Sequence, residues 1–170
     1  MAAVETDEEK LDTKQTSALT QTGAIPRLRA SAMVLHAGKM LTVRLRDPVT
    51  QTVESYLPGG KIENNESPEA AAERECLEET GYAVQVITGN ATVARYPFVY
   101  SGKLYDCTTH FFMARLVDPD RTPAVVNDAD YNLGCEWIDA NDEAAINQAF
   151  GFHETIHACV KTLLKHVPQG

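Results

Sequence analysis

The chain has 170 residues, and its 15 Lys and Arg against 24 Asp and Glu leave a formal net charge of -9. A chain of this length is expected to form one domain that buries roughly two-thirds of its unfolded surface. The acidic total argues against polymeric nucleic acid as a partner, because that backbone is bound through Lys and Arg. A phosphate-bearing small molecule is still compatible with the charge if a metal ion supplies positive charge locally.

The four cysteines are widely separated and form no CxxC pair, which favours free thiols in a reducing compartment. No run of residues approaches the 18 apolar positions of a membrane helix. The first thirty residues also lack the apolar core of a signal peptide. We therefore expect a cytoplasmic protein with no membrane partner.

In chain order, the polar and aperiodic residues 1–26 predict a flexible N-terminal tail, and residues 27–170 predict the folded domain. Leu41, Val43 and Leu45 alternate with polar residues, which indicates a strand. Two strands, about 29–36 and 40–46, are predicted to meet at a tight turn. Residues 47–56 and 57–67 are both expected to be loops.

Residues 68–80 have the strongest helical signature in the chain. Ser67 is a suitable N-cap, Pro68 suits the first helical position, and Gly81 suits the left-handed position that ends a helix. The small and apolar residues expected to face a sheet are Ala70, Ala72, Cys76 and Leu77. The remaining predictions are β segments at 82–90, 91–100 and 104–117, a loop at 118–130, a strand at 135–138, and helices at 140–149 and 152–166.

Three carboxylates share one face of this helix, because Glu75, Glu78 and Glu79 stand at positions i, i+3 and i+4. Such a cluster is tolerated when it is solvated, paired with cations or bound to a metal. Ligands that are all oxygen favour Mg²⁺ or Mn²⁺ over zinc. Upstream, Gly59 and Gly60 allow close approach of the backbone, which can offer a carbonyl to the metal. A solvated acidic face is the alternative interpretation of the helix alone.

The spacing extends beyond the helix to a complete motif. Its fixed positions are Gly60, Glu66, Arg74, Glu75, Glu78, Glu79 and Gly81, with Cys76 and Tyr82 at the two bulky positions. This spacing resembles the Nudix box, GX5EX7REUXEEXGU, in which U is a bulky apolar residue. The resemblance implies an α/β fold, a Nudix-type α/β/α sandwich with a central mixed β-sheet, from about Leu28 to Leu164.

The resemblance also implies an activity, the metal-dependent hydrolysis of a nucleoside diphosphate linked to another group. Glu75, Glu78 and Glu79 would be ligands of Mg²⁺ or Mn²⁺, together with the Gly59 carbonyl. Arg74 would orient Glu75 through a salt bridge, and Glu66 would support the metal from the loop. A Nudix-like domain that binds a nucleotide without turnover is the alternative. Homodimers are common among proteins that the chain resembles, so a homodimer is a further expectation.

The general base and the substrate contacts lie partly outside the motif. The candidates for the base are Glu75, Asp128, Asp130 and Glu136. The candidates for substrate contact are Arg44, Arg46, Arg95 and Tyr100, with Tyr96, Phe98 or Phe112 for stacking on a base. A proline at the position of Pro97 resembles ADP-ribose pyrophosphatases, and a tyrosine at the position of Tyr100 resembles dinucleoside polyphosphate hydrolases. Because both are present, neither decides the substrate.

A second metal-like pattern lies near the C-terminus, where His153, Glu154 and His157 match HExxH. On a helix this pattern places two imidazoles on one face, as a zinc peptidase requires. Such a site needs a third ligand, and the only downstream candidate is His166. We therefore predict a solvated helix face rather than a zinc site.

Overall fold

The computed structural model describes residues 23–89, 91–126 and 130–167. In these residues one eight-stranded sheet is accompanied by three helices. The elements are β1 (Ile25–His36), β2 (Lys39–Arg46), β3 (Val53–Tyr56), β4 (Gly59–Lys61), α1 (Pro68–Thr80), β5 (Val84–Val86), β6 (Thr92–Tyr100), β7 (Lys103–Leu116), β8 (Asn132–Asp139), α2 (Glu143–Phe150) and α3 (Glu154–Lys165).

The sheet is mixed, as predicted, and β1 is at its centre. Strands follow the order β3, β2, β1, β7, β5, while β8 pairs with β2, β4 with β1 and β6 with β7. β1 and β7 run parallel from the pair of Ile25 with Tyr105 to the pair of Val34 with Ala114. The other strand pairs are antiparallel.

Each face of the central strands packs against a different set of helices. Successive side chains of a strand point to opposite faces, and Met33 accordingly joins a cluster with α2 and α3, while Val34 joins a cluster with α1. Phe111 and Phe112 of β7 divide in the same way. The predicted α/β/α sandwich is therefore confirmed.

The predicted ends of α1 are also confirmed. The Ser67 hydroxyl accepts a hydrogen bond from the Ala70 amide at 3.1 Å, which satisfies one of the free amides of the first turn. Gly81 ends the helix with φ 78°, a left-handed conformation that favours glycine.

The predicted packing face of α1 was wrong in part. Cys76 and Ala72 are buried against the sheet, as expected, but Ala70 is exposed and Leu77 is 46% exposed. The buried stripe continues instead to Thr80, four residues after Cys76, because positions four apart lie above one another on a helix.

Parts of the predicted loops 47–56 and 57–67 form strands, because pairing with distant residues determines their conformation. β4 is the short sequence Gly-Gly-Lys, which has low β propensity by itself but pairs with residues 29–31 of β1. β3 pairs with the end of β2 in the same way. β1 begins at Ile25, two residues before the predicted start of the domain, and most of the predicted tail lies outside the described residues.

The four cysteines are free thiols, as predicted, and all but Cys135 are buried. Burial raises the pKa of the Cys76 thiol to about 12, which keeps this residue of the motif in its protonated, apolar form. Among the helices of the described segments, none has the length and apolar character needed to cross a bilayer.

Candidate active site

A cleft of about 820 Å³ opens where β1, β4, β6 and α1 meet the segment before residue 127. Three of the motif carboxylates, Glu75, Glu78 and Glu79, line it together with Gly59 and Gly60. The fold therefore brings together the residues that the motif predicts at the catalytic centre. Glu66 and Arg74 do not line this cleft; Arg74 contacts Glu75 and Glu78 from behind, and Glu66 contacts Arg74.

All three guanidinium nitrogens of Arg74 donate hydrogen bonds to residues of the motif. Its Nε and one Nη bind the two Glu66 oxygens at 2.7 and 3.0 Å. The other Nη lies 3.0 Å from Glu75 and 3.1 Å from Glu78. A fifth hydrogen bond, of 3.0 Å, reaches the Lys61 carbonyl on β4. Because the guanidinium plane is rigid, this network sets the positions of the carboxylates relative to β4.

Glycine is required at Gly59 and Gly60 because other atoms approach their backbone closely. The Gly59 amide donates a hydrogen bond to the Glu79 carboxylate at 3.2 Å, which links β4 to the last turn of α1. A Cβ atom at Gly60 would lie 2.5 Å from the Glu75 carboxylate carbon, and one at Gly59 would lie 2.4 Å from the Ala30 carbonyl oxygen. Any side chain at these positions would displace the carboxylate or the strand.

The two carboxylates that Arg74 holds most closely have opposite electrostatic environments. The hydrogen bonds from Arg74 lower the pKa of Glu66 from its ordinary 4.5 to about 2, so this residue is an anion at neutral pH. Burial raises the pKa of Glu75, and the hydrogen bond and charge of Arg74 only partly oppose that effect. Glu75 is therefore the motif carboxylate better suited to accept a proton.

The donor set of the cleft fits a hard divalent cation by its chemistry. Glu75, Glu78 and Glu79 supply only oxygen, and the backbone at Gly59 is next to them. In the described residues, however, no three His, Cys, Asp or Glu side chains already converge as ligands. Arg74 binds one oxygen of Glu75 and one of Glu78 in this arrangement, and each carboxylate has a second oxygen that can accept a cation.

Of the predicted substrate contacts, Tyr100 lines the cleft and the three arginines do not. Arg95 is engaged in a two-point ion pair with Asp106 on the neighbouring strand, where its Nε lies 2.8 Å from one carboxylate oxygen. Arg44 lines a separate groove with Glu136. Arg46 is exposed at the end of β2. The alternation of β2 in the sequence predicted that its arginines are exposed. It could not predict on which side of the sheet the cleft forms.

The aromatic residues also divide by their place in the sheet. Phe98 lines the cleft, whereas Tyr96 and Phe112 are only 2% and 4% exposed and belong to the core. Tyr56 lines the cleft and contacts Phe98 edge to face, with ring centroids 6.2 Å apart. Tyr56 was missed because its segment, β3, was predicted as a loop.

Two further residues of the cleft were missed, Arg27 and Arg29 of β1. Their spacing of two places them on the same face of the strand. That alternation was visible in the sequence, but the pairing of β1 with β4, which brings the face to Gly59 and Gly60, was not.

The candidates for the general base are separated by the fold. Glu75 lines the cleft, while Glu136 lines the separate groove with Arg44. Asp130 is an exposed residue of a turn, and Asp128 lies outside the described residues.

The imidazoles of the HExxH pattern have structural partners. His153 precedes α3 as its N-cap, where Nδ1 accepts a hydrogen bond from the Ile156 amide at 3.4 Å. Its Nε2 therefore carries the proton and donates to the Pro97 carbonyl at 3.0 Å. His157 donates from Nε2 to Asn147 at 2.8 Å. Both rings are partly exposed, and each also connects neighbouring elements.

An α/β/α sandwich with an arginine–carboxylate network beside a cleft defines the architecture of a Nudix domain, and comparison with known families agrees. A family model described as NUDIX domain matches residues 26–158. The chain therefore belongs to the Nudix family.

Individual relatives extend this result. The chain is 36% identical over 101 residues to the ADP-sugar pyrophosphatase of Mus musculus, a match that covers 59% of this chain but only 43% of the mouse protein. A NUDIX hydrolase from Nitrosomonas europaea has a TM-score of 0.59 at 22% identity, covering 81% of this chain and 87% of that one. A C. elegans Ap4A hydrolase has a TM-score of 0.59 at 19% identity, covering 80% and 93%. These two structures confirm the fold.

Proposed function

We propose that this protein uses water to cut a phosphoanhydride bond in a nucleoside diphosphate linked to another group. The observation that carries the proposal is the network in which Arg74 presents Glu75 and Glu78 to a cleft that Glu79 also lines. The candidate substrates are ADP-ribose, nucleotide sugars, dinucleoside polyphosphates and nucleoside triphosphates. The name of the mouse relative supports the ADP-sugars first.

We assign cation binding to Glu75, Glu78 and Glu79 with the Gly59 carbonyl, and we expect Mg²⁺ or Mn²⁺. When bound, such a cation neutralises phosphate oxygens and lowers the pKa of a water molecule. Arg74 orients the carboxylates, and the charge of Glu66 fixes Arg74 in turn. The attacking water forms one oxygen–phosphorus bond while the anhydride oxygen–phosphorus bond breaks. One product is a nucleotide, the other is the phosphorylated group or the inorganic phosphate or pyrophosphate released from it, and the water proton leaves to a base.

Glu75 is the best placed of the proposed bases in the described residues, because the other two face away from the cleft or into solvent. Its burial raises its pKa above that of an exposed carboxylate, which favours proton acceptance. A carboxylate has two oxygens, so contact with a cation and acceptance of a proton are compatible roles for one side chain.

The nucleoside is assigned to the aromatic part of the cleft. Tyr56, Phe98 and Tyr100 line it, and their rings offer flat apolar surface for a base or a ribose. Tyr56 lies on β3, whereas Phe98 and Tyr100 lie near the end of β6, so two strands from different parts of the sequence carry them. Their convergence is therefore a property of the folded sheet.

A nucleotide-binding role without turnover is the second candidate. One observation favours it: Arg74 already neutralises Glu75 and Glu78, and no three acidic, His or Cys groups of the described segments are poised as ligands. A purely binding domain would use the arginines and aromatic residues of the cleft and leave the carboxylates paired.

The deciding experiment measures release of nucleotide from ADP-ribose, ADP-glucose, diadenosine tetraphosphate and ATP. Each is incubated with the protein and Mg²⁺, then with a chelator, then with Mg²⁺ restored. We expect turnover of at least one substrate that stops with the chelator and returns with the metal. Binding of these nucleotides with no product after long incubation would instead support the second candidate.

A further inference from the structure

We propose that Arg29, assisted by Arg27, binds the phosphates of the nucleotide from the strand side of the cleft. This inference rests on the proposed function only in taking a nucleotide as the ligand, not in requiring its hydrolysis. It assigns a substrate-positioning role to two residues outside the motif, in place of the more exposed arginines of β2.

Arg29 lies beside the carboxylate end of the cleft. In the register of β1 and β4 it pairs with Lys61, and its neighbour Ala30 pairs with Gly60. Gly60 in turn lies against the Glu75 carboxylate. Arg29, Gly60 and Glu75 all line the cleft. A phosphate held near the carboxylates therefore has Arg29 as a neighbour.

One donor atom of Arg29 is left without a partner among the described residues. Its Nε atom is buried and has no hydrogen-bond partner there, and no carboxylate of the described segments forms a salt bridge with it. Arg74 and Arg95 differ, since each is anchored to acidic side chains. A buried donor without a partner costs free energy, so an arginine kept in this state is explained by a ligand that supplies the acceptor. Phosphate oxygens match the planar guanidinium best.

Arg27 is oriented for the same task. Its guanidinium carbon lies 5.0 Å from the centre of the Tyr105 ring, a cation–π contact that restrains the group at the edge of the cleft. Residues two apart on a strand are separated by about 6.7 Å along one face. Two cationic guanidinium groups on one face suit a ligand with several anionic phosphate oxygens rather than a neutral sugar.

The test compares Arg29→Met with wild type in the full chain. Affinity for ADP with Mg²⁺ is measured by calorimetry, with adenosine as the ligand that lacks phosphate, and the melting temperature is recorded for each protein. We expect ADP affinity to fall about tenfold or more, adenosine affinity to stay the same, and the melting temperature to stay equal or rise. Arg44→Met, on the adjacent strand but outside the cleft, is the matched control and should bind ADP normally.

The proposal is overturned if wild type does not bind ADP, if Arg29→Met binds ADP normally, or if the variant melts earlier and loses ADP and adenosine alike. The last result would show that Arg29 only supports the fold. If ADP binding depends on Arg29 but no substrate of the panel is hydrolysed, hydrolysis fails as the function and the phosphate-binding role of Arg29 stands.

Discussion

Two helices of this protein carry patterns that are typical of metal sites, and the fold uses them in opposite ways. On α1, three carboxylates line a cleft and one arginine holds them from behind. On α3, the HExxH pattern begins one residue before the helix, because His153 is its cap. Its two imidazoles bind Pro97 and Asn147 on other elements.

A helical spacing determines that certain side chains share one face of a helix. The surroundings of that face decide whether those side chains meet a cleft or a neighbouring element. Around α1 the glycines of β4 leave room beside the carboxylates. Around α3 a strand and a helix, β6 and α2, fill the corresponding space with hydrogen-bond partners.

Glu79→Gln tests most directly whether α1 is the catalytic helix. We expect turnover to fall at least as far as the roughly 10- to 100-fold loss typical of outer partners of a metal site. The melting temperature should change little, because the amide oxygen of Gln can still accept the hydrogen bond from the Gly59 amide. Steady-state kinetics with Mg²⁺ and thermal melting measure the two effects.

Glu69→Gln is the matched control for this variant, since Glu69 lies on the same helix in its first turn and does not line the cleft. It should retain turnover. Near-full activity of Glu79→Gln would contradict the assignment of α1 as the catalytic helix.

A smaller effect is expected from Glu66→Gln, which removes the charge that anchors Arg74. We expect a loss of about tenfold in turnover or metal affinity, the lower end of the range for an outer partner. Metal titration of the variant and of wild type measures it. If metal affinity and turnover are unchanged, the orientation of Arg74 does not depend on this charge.

The same variant has a signature in the pH dependence of stability. The pKa of Glu66 is lowered from 4.5 to about 2 in the folded state, so its contribution is present above pH 4.5 and is lost as the pH falls toward 2. The melting temperature of wild type should therefore exceed that of the variant at pH 6, and the difference should shrink at pH 3. A constant difference would show that the ion pair is not its source.

The smallest effect on activity is expected on α3. His153→Ala removes the helix cap and the contact with Pro97, so we expect a loss of about 1–2 kcal/mol in stability. His157→Ala removes one hydrogen bond and should cost about 0.5–1.5 kcal/mol. Both should keep wild-type kcat/KM with Mg²⁺ at a temperature where they are folded. Loss of turnover that zinc restores would make α3 the metal site instead.

Much of the fold could be predicted because its signals are local. The ends of α1 depend on Ser67 and Gly81, whose effects reach only a turn of the helix. The hairpin of β1 and β2 depends on alternation and a short turn. β3 and β4 could not be predicted in this way, because four and three residues become strands only when distant partners supply hydrogen bonds.

The sequence by itself determined the family, the fold class and the membership of the carboxylate network, since these follow from the spacing of one loop and one helix. The tertiary structure alone decided which arginines reach the cleft. From the sequence, Arg44 and Arg95 were predicted to contact the substrate and Arg29 was not. In the structure Arg44 lines another groove and Arg95 is paired with Asp106, so that of the three only Arg29 lines the cleft. The physical reason is that the face a strand presents to a cleft depends on which strands pair with it.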